Sequence, residues 1–340
     1  MRGSGPHNGV DEITCILGHE VTISLITLLW RNEQYANAFA RSLLQSLKQY
    51  EDVVELVVVV NGPDGLAAES SLREVLASSA SVRMKVVFID HNLGFAGGVN
   101  RGCDEASGEV FVIANLDLEL DPDFVAAVSR VATALVAPML VAPSVHDFAQ
   151  SPACSRGDLG ALRRDFLHRP RILSPTPDGP AMIPAGNGCC LIFGRALLER
   201  RKAELGEFLP EAFHSYYEDV ELFWWANRSK VPVWFHPEVR VRHHQGGSFN
   251  GLVRFRDRSE DLQTSIMANY RLMVWQHSVG IRDVAGWLLG EMGYVGLTFR
   301  AHGMSGLVLY ASSWPLALSR ATRLRMVRGG RLRSKARTGD

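Results

Sequence analysis

Residues 90–122 read DHNLGFAGGVNRGCDEASGEVFVIANLDLELDP, and this stretch decides the fold. A turn rich in glycine and asparagine opens a short helix, which leads into the apolar strand 110–114. The turn residues are Asn92, Gly94, Gly97, Gly98 and Asn100. Ligands of open α/β sheets bind beyond the carboxyl ends of strands. Acidic residues that follow the strand are placed to hold a hard cation, and the glycines let backbone approach a nucleotide closely. The stretch therefore predicts metal-dependent chemistry on a nucleoside diphosphate.

Apolar runs alternate with helical patterns on both sides of this stretch. Strands are predicted at 21–29, 53–60, 82–89, 110–114, 140–142, 186–193, 231–235 and 239–242. Helices are predicted near 36–48, 66–77, 97–106, 123–135, 195–204 and 217–227. Near-continuous Val, Ile and Leu strands separated by helices are typical of a parallel sheet that is covered on both faces. We therefore expect an α/β fold: a mostly parallel mixed sheet flanked by helices, with a C-terminal helical extension.

The same patterns divide the chain into four regions. Residues 1–19 are polar and predicted to be flexible. Residues 20–253 form the α/β domain, in which 143–184 holds seven prolines and is predicted to be an irregular loop that could act as a lid. Residues 254–318 are amphipathic and helical, and residues 319–340 form a basic tail.

Composition and cysteine usage indicate the size of the core and the cellular compartment of the protein. The chain has 340 residues, of which 46% are hydrophobic, so it can bury a large core. Its five cysteines show no CxxC spacing, which argues against a disulfide framework and for a reducing compartment. The N-terminus lacks a secretory pattern, and no long uncharged apolar run predicts a spanning helix. We expect a cytoplasmic protein, with the inner face of the membrane as an alternative location.

The chain has zero net charge, but its C-terminal tail is strongly basic. The tail holds eight basic residues against Asp340 alone. A basic tail after an apolar amphipathic segment favours contact with an anionic membrane surface over nucleic acid, and no nucleic-acid partner is expected. A solvated end, a helix packed on the main domain and a dimer interface are the alternatives.

Four segments together resemble one known family. They are VTISLITLLWRN (21–32), NLGFAGGVNRG with IANLDLELDPDF (92–124), AGNGCCLIFGRALLE (185–199), and FHSYYEDVELFWWANRSK (213–230) followed by VRHHQGGSF (241–249). In order and spacing they resemble the family 2 inverting glycosyltransferases, in particular the bacterial rhamnosyl- and galactofuranosyltransferase branch. The resemblance covers roughly residues 20–280 and implies the nucleotide-sugar-binding GT-A fold.

This resemblance implies a divalent cation, Mg²⁺ or Mn²⁺. Asp117 matches the family's metal-binding acidic motif, here Asn-Leu-Asp, in which Asn115 replaces the first carboxylate and is assigned to the donor side. Alignment on the Gly-Gly-Ser at 246–248 favours His243 as a further ligand, with His244 as the alternate. In the competing interpretation, the acidic residues after the strand merely form a solvated turn that caps the next helix.

The resemblance also assigns the catalytic acids. An inverting displacement needs a base that takes the proton of the acceptor hydroxyl, and Asp219 matches that position. Glu218 beside it would support the acceptor or position the loop, and the aromatic residues within 213–217 could stack on a sugar. Both acids could instead be charges that stabilise the start of a helix.

The predicted donor side combines several strand ends. Its residues are Thr27, Asn61, Asn92, Gly94, Gly98, Asn100, Asn115 and Gly188. Around Asn61 the chain departs from the family, which usually shows Asp-Asn-Gly-Ser-Thr-Asp-Gly where this sequence has Val-Asn-Gly-Pro-Asp-Gly (60–65). Without that first acid, the amide of Asn61 is expected to hydrogen-bond a pyrimidine edge.

The resulting prediction is an inverting glycosyltransferase that moves rhamnose or a hexose from a nucleoside-diphosphate sugar to an acceptor hydroxyl. A lipid-linked saccharide, in the synthesis of cell-surface polysaccharide or glycolipid, would suit a membrane-bound tail. A sugar-phosphate nucleotidyltransferase is disfavoured, because the first strand runs into Leu-Leu-Trp-Arg-Asn (28–32) instead of a glycine-rich triphosphate loop. A non-catalytic nucleotide-sugar-binding protein on the same scaffold stays open.

Overall fold

A computed structural model describes residues 22–147, 158–244, 255–278 and 280–338, with side chains up to residue 328. The strands are β1 (Ile23–Leu29), β2 (Val54–Asn61), β3 (Val82–Ile89), β4 (Val110–Ala114), β5 (Leu118–Leu120), β6 (Leu140–Asp147), β7 (Leu162–Arg164), β8 (Pro170–Ile172), β9 (Ala181–Met182), β10 (Cys190–Gly194) and β11 (Val233–His243). The α-helices are α1 (Ala36–Ser46), α2 (Leu66–Leu76), α3 (Gly94–Glu105), α4 (Phe124–Ala132), α5 (Arg195–Leu205), α6 (Glu218–Arg228), α7 (Glu260–His277), α8 (Ile281–His302) and α9 (Met304–Thr338).

Nine strands of the described residues form one sheet. Its order is β3-β2-β1-β4-β10-β6-β11-β5, and β9 pairs with β11. Strands β1 to β4 are mutually parallel, whereas β10 lies antiparallel between β4 and β6, and β5 lies antiparallel to β11. Strands β7 and β8 form a separate antiparallel pair. The predicted α/β fold with a mostly parallel mixed sheet is confirmed.

Both faces of the sheet are buried, which explains the near-continuous apolar strands. In β2, Leu56 and Val58 belong to the core on one face, and Val57 and Val59 to the core on the other. The first core also takes residues from α1, α2 and α4, and the second takes residues from α3, α5 and α6. Alternate side chains of one strand thus serve two layers of helices.

The structure refines several predicted elements. Helix α3 begins at Gly94, three residues before the expected start. The strands expected at 231–235 and 239–242 form the single strand β11, because a register shift between His236 and Arg240 lets pairing with β6 continue past Pro237. The expected loop 143–184 contains the end of β6 and the short strands β7, β8 and β9. Its segment 148–157 and the expected flexible residues 1–19 lie outside the described residues, and the role as a lid stays a prediction.

The C-terminal part consists of α7 and an antiparallel hairpin of α8 and α9. The hairpin turns at Gly303, whose φ is +62°, and an added Cβ at Gly306 would lie 2.2 Å from the Thr298 carbonyl oxygen. Helix α9 passes through residue 319 without a break. Among the helices described, none combines the length and the apolar character needed to cross a membrane.

Part of the expected basic tail faces the protein. Arg320 is largely buried and donates to the carbonyl and hydroxyl of Ser265 and to the side chain of Asn269. Arg323 pairs with Glu211, and Arg328 donates to Gln276. Three of the eight basic residues therefore anchor α9 to the rest of the chain.

Candidate active site

The first centre lies where β4 ends and β11 ends. Asp117 follows β4 in a short turn, and β11 places His243 opposite Leu118 of β5. His243 Nε2 lies 3.3 Å from Asp117 Oδ1, and both side chains are mostly buried. The backbone N–H of His244 donates to the Asp117 carbonyl at 2.9 Å, which fixes the turn against the strand end.

The two neighbouring histidines have different partners. His244 Nε2 lies 3.3 Å from Glu119 Oε1, and its ring packs 5.2 Å from that of Tyr35. Only His243 of this pair is placed beside the Asp117 carboxylate in the described residues. Burial by itself lowers the pKa of His243, but the adjacent Cys189 and Asp117 outweigh it and raise that pKa to about 10. In its charged form, His243 donates a hydrogen bond to Asp117.

The donor set of this centre fits a divalent cation. Two adjacent ligands of an octahedral cation, each about 2.1 Å from it, lie about 3 Å apart, close to the Asp117–His243 separation. The described residues contain no group of three or more His, Cys, Asp or Glu side chains that could hold a metal ion. Diphosphate oxygens and water would have to complete such a site, as is usual for Mg²⁺.

The second centre is the start of α6 and the loop before it. His214, Tyr216 and Tyr217 all have positive φ, at 61°, 71° and 72°. Each such residue costs about 1–3 kcal/mol, and this kind of strain is typical of functional loops. The loop delivers Glu218 and Asp219 to the first turn of the helix.

Asp219 and Glu218 lie in different environments although they are neighbours. Asp219 accepts hydrogen bonds from the backbone N–H groups of Val220 at 2.8 Å and Gly188 at 3.2 Å. Burial raises the pKa of Asp219, and these N–H groups limit the rise. Burial and the nearby Asp219 raise the pKa of Glu218 well above its ordinary value. The rise favours the protonated form of Glu218, and its buried Oε2 has no partner among the described residues.

One short segment joins the two centres. The N–H of Gly188 binds Asp219, and the carbonyl of Cys189 accepts from the N–H of Asn115 at 3.0 Å. The Cys189 thiol lies beside His243. A Cβ at Gly188 would lie 2.5 Å from the Asp219 Cβ, so only glycine allows this approach. The predicted metal-binding and catalytic groups thus flank the same two residues.

The glycine-rich turn is held mainly by Asn61. The Asn61 amide donates to Asn92 Oδ1 at 3.1 Å and to the Gly94 carbonyl at 3.0 Å, and it accepts from the N–H of Leu93 at 2.9 Å. Gly94 has φ +76°, and a Cβ there would lie 2.3 Å from the His214 carbonyl oxygen. A Cβ at Gly98 would lie 2.4 Å from the side chain of Leu28. The turn therefore packs against both β1 and the strained loop.

Three predicted donor-binding side chains are engaged within the protein or buried. The Asn61 amide is used by the turn, as described above. Asn100 is buried and exchanges hydrogen bonds with the backbone of Leu209, at 2.8 and 2.9 Å. Thr27 is fully buried in β1. These contacts indicate structural roles, and contacts of the three side chains with a donor remain predictions.

Two of the aromatic residues before α6 pack against other parts of the protein. Phe213 is fully buried, and the Tyr217 hydroxyl lies 3.0 Å from that of Tyr294 in α8. Tyr216 packs with the Arg258 guanidinium, 4.9 Å from the centre of its ring. Full burial leaves no ring face of Phe213 for a sugar, whereas sugar stacking by the two tyrosines stays a prediction.

The sequence did not reveal the residue that holds this loop. The fully buried Asn269 of α7 donates to the carbonyls of Phe213, Ser215 and Tyr216, each at 2.8 Å. Its Oδ1 accepts from Arg320 of α9 at 2.6 Å. The only signal in the sequence is an asparagine within an otherwise apolar stretch of helix, which does not identify acceptors more than 50 residues away.

Comparisons with known proteins agree on the architecture. Residues 26–260 match the family model described as "Glycosyltransferase like family 2". The structure resembles that of GalNAc-T7 with UDP, GalNAc and Mn²⁺, at 16% identity and a TM-score of 0.56 over 75% of this chain and 48% of that chain. This chain thus spans about half the length of GalNAc-T7.

Two further solved structures are matched over most of their length. TarS 1–349 of S. aureus in complex with UDP-GlcNAc matches at 15% identity and a TM-score of 0.50, over 94% of this chain and 92% of that one. The mannosyltransferase PcManGT from Pyrobaculum calidifontis, in complex with GDP-Man and Mn²⁺, matches at 15% identity and 0.50, over 91% and 84%. At these identities the likeness establishes the fold alone. No curated protein matches the chain in sequence.

Proposed function

Because the chain belongs to the glycosyltransferase-like family 2 and has its GT-A fold, we propose that it is an inverting glycosyltransferase. It would move a sugar from a nucleoside-diphosphate sugar to an acceptor hydroxyl. The observation that carries this proposal is the Gly188–Cys189 segment, which contacts Asp219 on one side and the Asp117–His243 centre on the other. The proposed reaction requires a base and a diphosphate-binding group on either side of one sugar, and the two contacts of this segment support that arrangement.

Asp219 is the general base of the proposed reaction. Its carboxylate takes the proton of the acceptor hydroxyl while the hydroxyl oxygen bonds to the anomeric carbon, and the bond from that carbon to the diphosphate breaks on the opposite face. The N–H groups of Val220 and Gly188 orient the carboxylate. The pKa of Glu218 is raised by burial and by Asp219, and in its protonated form Glu218 would donate a hydrogen bond to the acceptor.

Asp117 and His243 are the residues that would hold a divalent cation. When bound there, the cation offsets the negative charge that grows on the leaving diphosphate. His243 must lose its proton to serve as a ligand, so binding of the cation should release a proton. Asn115, in place of a second carboxylate, leaves the site with less negative charge than a strict Asp-x-Asp motif.

The finer identity of the substrates is part of the proposal. We propose rhamnose or a hexose, carried by deoxythymidine or uridine diphosphate, as the donor, and a hydroxyl-bearing saccharide, lipid-linked in one version, as the acceptor. The Asn61 amide is engaged by the glycine turn, so recognition of the base falls to other groups. Gly94 and Gly98 would contribute backbone and close approach instead of side chains.

The donor is identified by screening a panel of nucleotide sugars for binding. Binding is measured as the thermal shift of the protein, first with Mn²⁺ and then with a chelator. Stabilisation that disappears on chelation supports the cation site. With the best donor, Asp219→Asn is expected to lower turnover by about 10²–10⁴-fold while nucleotide binding is kept. Asp123→Asn, a partly exposed carboxylate paired with Arg130, is the matched control and should retain turnover.

The product distinguishes the competing functions. A transferase releases a nucleoside diphosphate, whereas a sugar-phosphate nucleotidyltransferase releases pyrophosphate. The proposal is refuted if a nucleotide sugar binds without transfer to any saccharide acceptor and the Asp219→Asn variant behaves as the parent protein. The chain would then be a non-catalytic binding protein.

A further inference from the structure

Helix α8 carries a line of exposed apolar side chains on its outward face. They are Ile281, Leu288, Met292 and Phe299, all more than half exposed. Their spacing of seven, four and seven residues places them on one side of the helix. The buried residues of α8 lie on the other side and include Gly286, Gly290, Tyr294 and Thr298.

Helix α9 repeats this pattern after the turn at Gly303. Met304, Val308 and Leu318 are all more than half exposed and fall on one side of the helix. The buried residues Ser313 and Ala317 fall on the other. Between residues 303 and 319 the sequence contains no Asp, Glu, Lys or Arg. We call the two outward apolar faces together the hairpin face.

The exposed charges of α8 and α9 themselves have one sign. Residues 280–328 contain six arginines but only two carboxylates. Asp283 pairs with Arg164 at 3.3 Å, and Glu291 is buried and pairs with Arg271. The exposed charges in this described part are therefore cationic. They include Arg282 and Arg300 near the two ends of α8, and Arg325 on α9.

We propose that the hairpin face binds an anionic lipid surface, with α8 and α9 lying in the plane of the headgroups. The apolar side chains would enter the boundary between headgroups and acyl chains, and the exposed arginines would meet lipid phosphates. A second copy of this chain, docked on the same face about a two-fold axis, would instead bring arginines against arginines. Charge complementarity thus favours lipid as the occupant.

This proposal goes beyond sugar transfer and does not depend on it. It also differs from the expectation for the basic tail, because Arg320, Arg323 and Arg328 contact the protein. The surface proposed here starts at Ile281 and is defined mainly by residues that precede the tail.

The test measures cosedimentation of the full chain with vesicles, at low salt and without substrates. One set of vesicles is phosphatidylcholine alone, and the other contains phosphatidylglycerol as well. We expect binding to the anionic vesicles, weakened about tenfold or more by Leu288→Glu combined with Met292→Glu. Val136→Glu combined with Phe88→Glu changes two exposed apolar residues elsewhere, and this control should bind as the parent protein does.

A second variant tests the charges without touching the apolar side chains. Arg282→Gln combined with Arg300→Gln should weaken binding to anionic vesicles by roughly tenfold, and it carries the test if the first variant fails to fold. The proposal is overturned if the parent protein does not bind anionic vesicles, or if hairpin-face and control variants bind equally. It is also overturned if light scattering shows a dimer that the Leu288/Met292 variant disrupts and no vesicles are bound.

Discussion

Asp219 and Glu218 illustrate how two adjacent acids acquire different environments. Asp219 receives two backbone N–H groups, which favour its charged form. Glu218 is buried beside that carboxylate, and both effects raise the pKa of Glu218 well above its ordinary value. Such separation of neighbouring pKa values is how active sites assign one group as base and keep another neutral.

The pH dependence of transfer should report this base. Because the pKa of Asp219 is raised, we expect turnover to rise with pH, with an acid limb above the ordinary range of an aspartate near 3.9. Glu218→Gln keeps a neutral side chain in place and should leave that limb where it is. The measurement is kcat against pH at saturating donor and acceptor. An acid limb that moves in Glu218→Gln would assign the titration to Glu218 instead.

The sequence predicted the acids of the candidate site, but it did not predict which groups the asparagine amides bind. Asp117, His243 and Asp219 were predicted, and the structure brings them to the same segment. Asn61 and Asn100 were expected to face a donor, yet their amides bind backbone and side chains of this chain. The residue type shows which hydrogen-bonding groups a side chain carries. Which partner those groups bind depends on tertiary contacts.

Helix α6, which carries both acids, is anchored by a buried ion pair one turn further along. Glu221 accepts a hydrogen bond from Arg201 of α5, and its Oε1 lies 3.4 Å from His277 of α7. Burial by itself raises the pKa of Glu221, but Arg201 and His277 outweigh it and lower that pKa to about 2. The pair therefore links the catalytic helix to its neighbours on both sides.

Loss of the Arg201–Glu221 ion pair should lower the free energy of unfolding. A glutamate with a depressed native pKa stabilises the fold fully above its unfolded pKa of about 4.3, and this contribution falls as pH drops toward about 2. Glu221→Gln should lower the free energy of unfolding by about 3–5 kcal/mol at neutral pH and flatten its dependence between those pH values. Urea unfolding at a series of pH values measures both effects.

An exposed pair provides the comparison for this variant. Asp64 pairs with Arg31 at the surface, so Asp64→Asn should change the free energy of unfolding by less than about 1 kcal/mol. Equal losses in the two variants would contradict an anchoring role for the buried pair.

The bounds of the regular strands β2, β3 and β4 were predicted best. The bounds of β3 and β4 were predicted as observed, and those of β2 within one residue. Strands β2 and β4 are buried on both faces and therefore read as apolar runs. The single strand β11 was missed, since Pro237 suggested a break that the register shift accommodates. The continuation of α9 through residue 319 was also missed, because a run of arginines suggested a separate basic tail at a membrane surface and gave no sign of their inward partners.

Across the chain as a whole, the C-terminal helices support the strained loop that precedes Glu218. Arg320 of α9 binds Asn269 of α7, and Asn269 binds three carbonyls of the strained loop. This chain of contacts connects a helix beyond residue 300 with residues that immediately precede Glu218. The amide has two N–H bonds shared among the three carbonyls, and at about 0.5–1.5 kcal/mol each they offset part of the strain of the loop.

Removal of this support should affect turnover more than donor binding. We expect Asn269→Ala to lower kcat strongly, Arg320→Ala to lower it less, and the affinity for nucleotide to change little in both. Arg325→Ala alters an exposed arginine on the same helix and should behave as the parent protein. The measurements are kcat, KM for donor and acceptor, and the melting temperature. Full kcat in a folded Asn269→Ala variant would show that the loop holds its conformation without this residue.

The order of strands in the sheet has a consequence for synthesis on the ribosome. Strands β1 to β4 can pair with one another once residue 114 has emerged, because these four strands are contiguous in the sheet. Strand β5 has β11 as its neighbour in the sheet, so the nascent chain holds Asp117 next to an unpaired strand until His243 is made. The Asp117–His243 pair is therefore among the last parts of the sheet to assemble, and a ribosome that stalls before β11 leaves a polypeptide with the four parallel strands but without that pair.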